Sequence, residues 1–239
     1  FAGEITAGNI TEFIYYVNLL TWPIASIGWV TSLVQSAAAS MERLNEVLGE
    51  EPDFKSGEYV PDSFEGNIEF KNVSFTYPNS GITALQNVSF KLAAGESLGI
   101  LGKTGAGKST ITSLIVRQYD PNSGQILVDG MDLTQLHLPT LKSYLGWVPQ
   151  EAFLFSDTIA RNISFGLDEL EEKNIQNAAM AAGVHENIIE FPKAYETKVG
   201  ERGVTLSGGQ KQRISIARAL AKNPKLMVFD DSLTAVDTE

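Results

Sequence analysis

The stretch GKTGAGKS, residues 102–109, decides the fold of this 239-residue chain. It follows the short apolar run Ser97–Leu101 and precedes the helix-compatible run Thr110–Arg117. A GxxxxGK[ST] loop between a strand and a helix wraps its backbone N–H groups around phosphates. Its glycines permit the close approach, and the helix N-terminus adds a positive dipole end. The sequence therefore predicts a buried strand, a phosphate-binding loop and a helix within an α/β fold.

The predicted ligand of this loop is a nucleoside triphosphate, ATP, together with Mg²⁺. Lys108 supplies a positive charge for the β- and γ-phosphates, and the Ser109 hydroxyl can ligate the metal ion. The alternative is a glycine-rich turn that matches by chance, and the expected strand and helix beside it disfavour that reading. The residues predicted to bind the nucleotide are Gly102, Lys103, Thr104, Gly105, Ala106, Gly107, Lys108, Ser109 and Thr110.

A further apolar run, Leu226–Phe229, is followed directly by Asp230. This pattern places a carboxylate at the end of a buried strand, where an acid can hold the Mg²⁺ of a phosphate site. Alone the pattern is weak, because many strands end in Asp. Beside the phosphate loop it predicts that Ser109 and Asp230 are metal ligands.

The run LSGGQ, from Leu206 to Gln210, leads into the helical run Lys211–Ala221. Small residues at a helix start leave backbone N–H groups accessible, so a second anion site is one interpretation. An ordinary Ser-Gly helix cap without a ligand is the other. The residues alone leave both interpretations open.

The N-terminal part of the chain contains a long run without charge. No Asp, Glu, Lys or Arg occurs between Phe13 and Ser40, whereas roughly 20 apolar residues suffice to cross about 30 Å of hydrocarbon. Pro23 is expected to kink such a helix or to lie near one end of a span. The alternative is a buried or interfacial amphipathic helix, since polar residues such as Asn18 and Thr21 dilute the hydrophobicity.

Composition and charge divide the chain into three predicted parts. Residues 1–50 form a spanning helix with a water-exposed extension, residues 51–66 a linker, and residues 67–239 a globular domain that starts with two strands. We expect the chain to be a fragment of a longer protein. The net charge of −11 argues against a sequence-independent nucleic-acid binder, and the lack of cysteine excludes disulfides within the chain.

Together these motifs resemble the nucleotide-binding domain of ABC transporters, over nearly the whole chain. The N-terminal run resembles the last transmembrane helix of an exporter half-transporter. The matching positions are Leu206, Ser207, Gly208, Gly209 and Gln210 for the signature motif, Gln150 for the Q-loop, Tyr77 for the aromatic residue that stacks on adenine, Thr234–Asp237 for the D-loop, and Tyr195–Gly203 for a motif typical of exporters.

The resemblance implies a fold and a set of roles. The fold is a P-loop NTPase core of the ABC type with an antiparallel β subdomain and an inserted helical subdomain at about residues 157–205. Tyr77 would stack on the purine, although the residues alone favour a strand-end aromatic packed on the core. Gln150 would reach Mg²⁺ or the attacking water, and Glu201 would contact the coupling helices of a partner, or else is a solvated acid.

The resemblance also implies partners. Two half-transporters, identical or different, would pair head to tail in a membrane. The phosphate loop of one chain and the signature of the other would then enclose the same ATP, with Asp237 in the D-loop. The implied location is the bacterial inner membrane, with the nucleotide-binding domain in the cytoplasm.

Two features depart from the family pattern. Asp231 stands where the family's catalytic base is usually Glu, and a side chain shorter by one methylene reaches its water less well. Neither His137 nor His185 is placed to be the family's switch histidine. The leading function is an ATP-hydrolysing exporter subunit. The alternatives are a regulatory ATP-binding subunit with a weak hydrolytic site and a soluble mechanical ABC ATPase.

Overall fold

The computed structural model describes residues 6–50, 55–167, 171–200 and 206–231. The chain divides into two compact units, residues 1–53 and residues 54–239. Each unit is described by itself below.

In its described residues, the first unit consists of one helix, α1, Ala7–Gly49, of 43 residues. Thr6 caps its N-terminus, and the helix ends at Gly49. Pro23 lies inside the helix without ending it. The helix is about 64 Å long at 1.5 Å per residue, and its length and composition qualify it as a candidate membrane span.

The polar side chains of α1 bond to the helix backbone. The hydroxyl of Thr21 donates to the carbonyl of Val17 at 2.8 Å, and that of Thr31 donates to Ile27 at 2.7 Å. Residues 13–17 are consecutive apolar and aromatic residues, and all are exposed. Five consecutive residues cover more than one turn, so the apolar surface continues around the helix. This distribution favours a membrane span over the amphipathic alternative.

The second unit contains a four-stranded antiparallel sheet in the order β2-β1-β3-β4. Apolar residues that alternate along β1 are buried, as the sequence pattern predicts for a strand with one face on a core. The predicted antiparallel β subdomain is therefore confirmed. Its strands are β1, Ile68–Thr76; β2, Thr83–Leu92; β3, Ser123–Val128; and β4, Met131–Asp132.

A second, parallel pair of strands lies in the same unit. It consists of β5, Leu145–Val148, and β6, Leu226–Phe229. Helix α2, Lys108–Ile115, follows the phosphate loop, and α3, Leu138–Tyr144, leads into β5. Both the antiparallel sheet and this pair contribute to one hydrophobic core.

The helical part of the unit has a separate core. Its buried apolar residues come from four helices and from the segments around Leu154, Val199 and Leu206. The predicted helical subdomain between the Q-loop and the signature is thus confirmed as a helical region. The helices are α4, Ile159–Ile163; α5, Glu172–Ala181; α6, His185–Ile189; and α7, Gly208–Ala221.

The prediction of a buried strand at Ser97–Leu101 was wrong. The segment has no strand pairing, and Leu101 is 96% exposed. Among the described residues, β6 pairs with β5 alone, and the segment forms no ladder with the other edge of β6. A cavity of about 500 Å³ lies there, lined by residues of both. An apolar run becomes a buried strand only where a neighbour satisfies its backbone.

Residues 55–66, part of the predicted linker, pack within the second unit. The amide of Tyr59 donates to the carbonyl of Gln135 at 3.1 Å, and the amide of His137 donates to the carbonyl of Tyr59 at 2.7 Å. Phe64 is buried in the core and stacks on Tyr144. This stretch is therefore anchored, whereas the proposed domain limits at residues 50 and 66 stay predictions.

Asp129 anchors the end of that stretch. Its carboxylate accepts the backbone N–H groups of Glu65 at 2.9 Å, Gly66 at 3.3 Å and Asn67 at 2.8 Å. Burial pushes the pKa of this carboxyl upward, but the bonds from these three residues outweigh burial and lower the pKa from its ordinary value of 3.8.

We expect Asp129→Ala to lower the free energy of unfolding by about 1–3 kcal/mol, the range for hydrogen bonds to a charged group. Because the folded-state pKa is depressed, the carboxylate stabilises the fold above pH 3.8, and this contribution is lost as the pH falls through the folded pKa. Thermal unfolding between pH 3 and 7 measures it. The exposed Asp62→Asn serves as control, and an equal pH dependence in both variants would contradict the assignment.

Candidate functional site

The phosphate loop is shaped by glycines in left-handed backbone conformations. Gly105 has φ 82° and Gly107 has φ 85°. A Cβ added to Gly107 would lie 2.6 Å from the carbonyl oxygen of Ala84, so any other residue would force β2 away. Helix α2 begins at Lys108, directly after this glycine. The loop thus presents the N-terminus of a helix, as the sequence predicts.

The Lys108 side chain folds back over the loop. Its ammonium group donates to the carbonyl oxygens of Gly102 at 2.9 Å and Lys103 at 3.1 Å. Both acceptors are backbone carbonyls, so its charge is not neutralised by a carboxylate in these contacts. The ammonium group is therefore available to an anion at the loop.

The parallel strands bring the predicted metal ligands together. The amide of Asp230, which follows β6, donates to the carbonyl of Val148 at the end of β5 at 3.0 Å. The hydroxyl of Ser109 donates to Oδ1 of Asp230 at 2.8 Å. These two residues are separated by 121 positions in the chain, so their contact is a product of the fold.

The Ser109 and Asp230 oxygens fit the demands of Mg²⁺. Two adjacent ligands of an octahedral Mg²⁺ with bonds of about 2.1 Å lie about 3 Å apart, close to the observed 2.8 Å. The described residues contain no group of three His, Cys, Asp or Glu side chains suited to a metal. Mg²⁺ commonly takes one or two protein oxygens and completes its shell with phosphate oxygens and water, which matches this pair.

Gln150 and Asp231 meet beside the predicted metal ligand Asp230. The Gln150 amide nitrogen lies 3.4 Å from Oδ2 of Asp231. Both side chains are exposed, and they leave the same ends of β5 and β6. Asp231 has φ 46°, a left-handed conformation in which Asp is among the better tolerated residues. The two predicted catalytic residues are thus within contact distance of each other.

Tyr77 lies at the end of β1 and is half-buried. Its ring packs edge-on against Phe75 and Tyr119. Its hydroxyl bonds to the hydroxyl of Thr110 in α2 at 3.0 Å. The strand-end packing that the residues alone favour is present, and it places the ring beside the helix of the phosphate loop. Tyr119 was not predicted from the sequence, because a single aromatic residue after a helix is not specific to any kind of site.

The signature run forms a helix cap. The Ser207 hydroxyl accepts the amide of Gln210 at 3.2 Å, and the Gln210 side chain accepts the amide of Ser207 at 3.0 Å. Gly208 and Gly209 form the first positions of α7, and Leu206 is buried in the helical core. The cap bonds are therefore present, and the helix N-terminus stays accessible to an anion, so a second anion site is compatible with the cap.

The remaining predicted residues divide into two groups. The D-loop with Asp237, and Glu201 of the exporter motif, lie outside the described residues. His137 caps α3 and bonds to Thr140 at 2.8 Å, and His185 bonds to the Tyr195 hydroxyl at 2.8 Å. Both histidines therefore have structural partners away from the phosphate loop.

We compared the sequence and the structure of this chain with those of known proteins. The family model described as ABC transporter matches residues 85–234, which include the phosphate loop, Gln150, the signature run and Asp231. The chain belongs to the ABC transporter family. ATP-binding domains of ABC transporters are ATPases, and the P-loop fold predicted from the sequence is confirmed.

Relatives of this ABC transporter chain include two bacterial proteins. The chain is 43% identical over 240 residues to the probable multidrug resistance ABC transporter ATP-binding/permease protein YheI of Bacillus subtilis, covering 100% of this chain and 41% of that protein. It is 44% identical over 236 residues to the multidrug resistance-like ATP-binding protein MdlA of Escherichia coli, covering 98% of this chain and 40% of that protein.

A solved structure is similar as well. The structure of a bacterial Atm1-family ABC exporter with ATP bound matches with a TM-score of 0.80 and 36% identity, covering 99% of this chain and 42% of that chain. The chain thus spans about two-fifths of the length of the ABC transporters that it resembles.

Proposed function

We propose that this chain is the ATP-binding and ATP-hydrolysing part of an ABC exporter subunit, in which nucleotide-driven closure is coupled to transport across a membrane. One observation carries the proposal. The parallel pair β5-β6 brings Asp230 to Ser109 of the phosphate loop and sets Gln150 beside Asp231. A phosphate-binding loop, a metal-binding pair and a candidate base are the parts that phosphoryl transfer requires.

In the proposed mechanism the loop amides and the N-terminus of α2 bind the phosphates, and Lys108 contacts the β- and γ-phosphates. Ser109 and Asp230 would hold Mg²⁺, which neutralises charge on those oxygens. Gln150 orients a water molecule, and Asp231 accepts its proton. The water oxygen bonds to the γ-phosphorus while the bond to the β–γ bridging oxygen breaks, leaving ADP and inorganic phosphate.

The proposed partner is a second half-transporter, identical to this chain or different from it. The helix N-terminus at Ser207 and Gly208 supports this role, because these residues are exposed and their backbone N–H groups are accessible to an anion. A second chain's ATP would bind there and close the interface. The D-loop residue Asp237 belongs to the same proposal.

The proposed location is the bacterial inner membrane, with the nucleotide-binding domain in the cytoplasm. Helix α1 supports this, because apolar side chains surround it and its Thr hydroxyls bond to its own backbone. Hydrocarbon offers no partner to a polar group, so such self-bonding suits a spanning helix. The names of the relatives, which include a permease protein, agree with this location.

The test is membrane association together with ATP hydrolysis by the full-length protein. We expect the protein to stay in the membrane fraction after alkaline carbonate washing, to require detergent for extraction, and to hydrolyse ATP when Mg²⁺ is present. Chelation of Mg²⁺ with EDTA should abolish turnover. Partition into the aqueous phase without detergent would contradict the exporter proposal and favour a soluble mechanical ABC ATPase.

A regulatory ATP-binding subunit remains the second candidate, because Asp231 is shorter than the usual glutamate. This second candidate predicts that the chain's own site binds ATP but hydrolyses it slowly. The substitutions that separate it from the leading proposal are discussed below.

A further inference from the structure

We propose that Tyr119 and Thr110 are positioning residues that hold the ring of Tyr77 as a platform for a purine base. The inference rests on the proposed function, since it requires that the phosphate loop binds a nucleotide. It assigns to Tyr119 a role that no motif indicates. It also assigns to the hydroxyl of Thr110 the bond that holds the hydroxyl of Tyr77.

The first support is the bond between the two hydroxyl groups. The Tyr77 hydroxyl lies 3.0 Å from Oγ1 of Thr110, and Thr110 is 3% exposed. Thr110 is the third residue of α2 and directly follows Ser109. The far end of the Tyr77 ring is thus fixed to the helix that begins at the phosphate loop.

The second support is the pair of aromatic rings that pack against the ring of Tyr77. The ring centroid of Phe75 lies 4.9 Å from that of Tyr77, and the two ring planes are at 81°. The ring centroid of Tyr119 lies 5.5 Å from that of Tyr77, and these ring planes are at 87°. Phe75 is 2% exposed and anchors the cluster in the core. Both contacts are close to perpendicular, an arrangement that aromatic pairs prefer, and they fix the orientation of the Tyr77 ring.

The third support is the rigid segment that carries Tyr119. It follows α2 and passes through Arg117, which is 2% exposed and has φ 52°. The Arg117 guanidinium donates to Asp120 at 3.0 Å, to the carbonyl of Leu136 at 3.3 Å and to that of Lys55 at 3.0 Å. Arg117 and Asp120 lie on either side of Tyr119 in the chain, so these bonds hold the segment that carries Tyr119.

Helix α2 therefore lies between the phosphate loop and the segment that carries Tyr119. Its eight residues span about 12 Å at 1.5 Å per residue. The phosphate loop precedes it, and the segment that positions the Tyr77 ring follows it. A ring held by these contacts loses little freedom when a base stacks on it.

The experiment compares ATP with inorganic tripolyphosphate, which has the phosphates and no base. Both are titrated with Mg²⁺ into full-length protein in nanodiscs by calorimetry. Tyr119→Leu should weaken ATP binding about tenfold, within the range for the loss of one base-stacking contact, and should leave tripolyphosphate binding unchanged. Tyr119→Phe keeps the ring and should restore ATP binding. The control is Tyr59→Leu, a tyrosine outside the cluster.

The hydroxyl pair provides a test that does not depend on removing a ring. Tyr77→Phe, Thr110→Val and the double variant each delete a hydroxyl, and the double variant should weaken ATP binding no more than either single variant. Strictly additive losses would overturn the role of Thr110. Equal losses for ATP and tripolyphosphate in Tyr119→Leu, or no loss for either, would overturn the role of Tyr119. Failure of the wild type to bind tripolyphosphate would instead contradict the proposed phosphate loop.

Discussion

Replacement of Lys108 by alanine is expected to weaken Mg²⁺–ATP binding by about 10- to 100-fold, the equivalent of a lost charge-assisted hydrogen bond. The ammonium group lies over the loop and has backbone carbonyl oxygens of Gly102 and Lys103 as its hydrogen-bond acceptors. Triphosphate oxygens would be stronger acceptors for it than these neutral carbonyls. The measurement is calorimetric titration of ATP into the full-length protein.

The matched control for Lys108→Ala is Lys173→Ala, which removes an exposed lysine from α5 in the helical region. Both variants change the net charge equally, so a difference between them reports the position of the charge. Thermal unfolding without nucleotide separates loss of binding from loss of the loop structure. If ATP affinity were unchanged in folded Lys108→Ala protein, the assignment of residues 102–109 as the phosphate loop would be wrong.

Asp231→Asn is expected to lower the rate of ATP hydrolysis by about 10²-fold or more, the range for removal of a general base, while ATP affinity stays near that of the wild type. Asparagine keeps the size of the side chain and tolerates the left-handed backbone at φ 46°. It cannot accept the proton of the attacking water. Steady-state phosphate release and ATP titration measure the two quantities, and an undiminished rate would show that Asp231 is not the base.

Asp231→Glu separates the exporter proposal from the regulatory alternative. The added methylene brings the carboxylate closer to its water, and a shift of about 1 Å can change a rate by about 10²-fold. A marked increase would show that the wild-type site is slowed by its short side chain, as a regulatory subunit requires. An unchanged or lower rate would indicate that Asp fits this site. Both measurements should be repeated with any second half-transporter present.

Local patterns predicted much of the fold, because the relevant contacts lie close in sequence. The alternation along residues 68–76 and the uncharged run 13–40 specify a strand and a long helix without knowledge of the rest. Ser97–Leu101 was predicted wrongly because strand formation depends on a neighbour, and periodicity does not reveal one. Residues 55–66 look like a linker by composition, but Asp129 anchors their end through backbone amides that carry no sequence signature.

The candidate site was predictable to the extent that it consists of motifs. The loop, Asp230 and the signature run each have recognisable spacing, and the structure brings Ser109 to Asp230 across 121 positions. Tyr119 could not be predicted, because its contact with Tyr77 depends on where α2 ends and on the buried Arg117. Contacts between segments that lie far apart in the chain cannot be predicted from local sequence patterns.

The reciprocal bonds between Ser207 and Gln210 bear on the rate at which two chains would pair. They close within four residues and form when α7 forms, so the conformational entropy of this loop is lost during folding and not at the encounter of two chains. The proposed partner chain would then meet a helix cap that is already formed. The rate of pairing should then follow diffusion and orientation, with no slow ordering of the loop before the two halves engage.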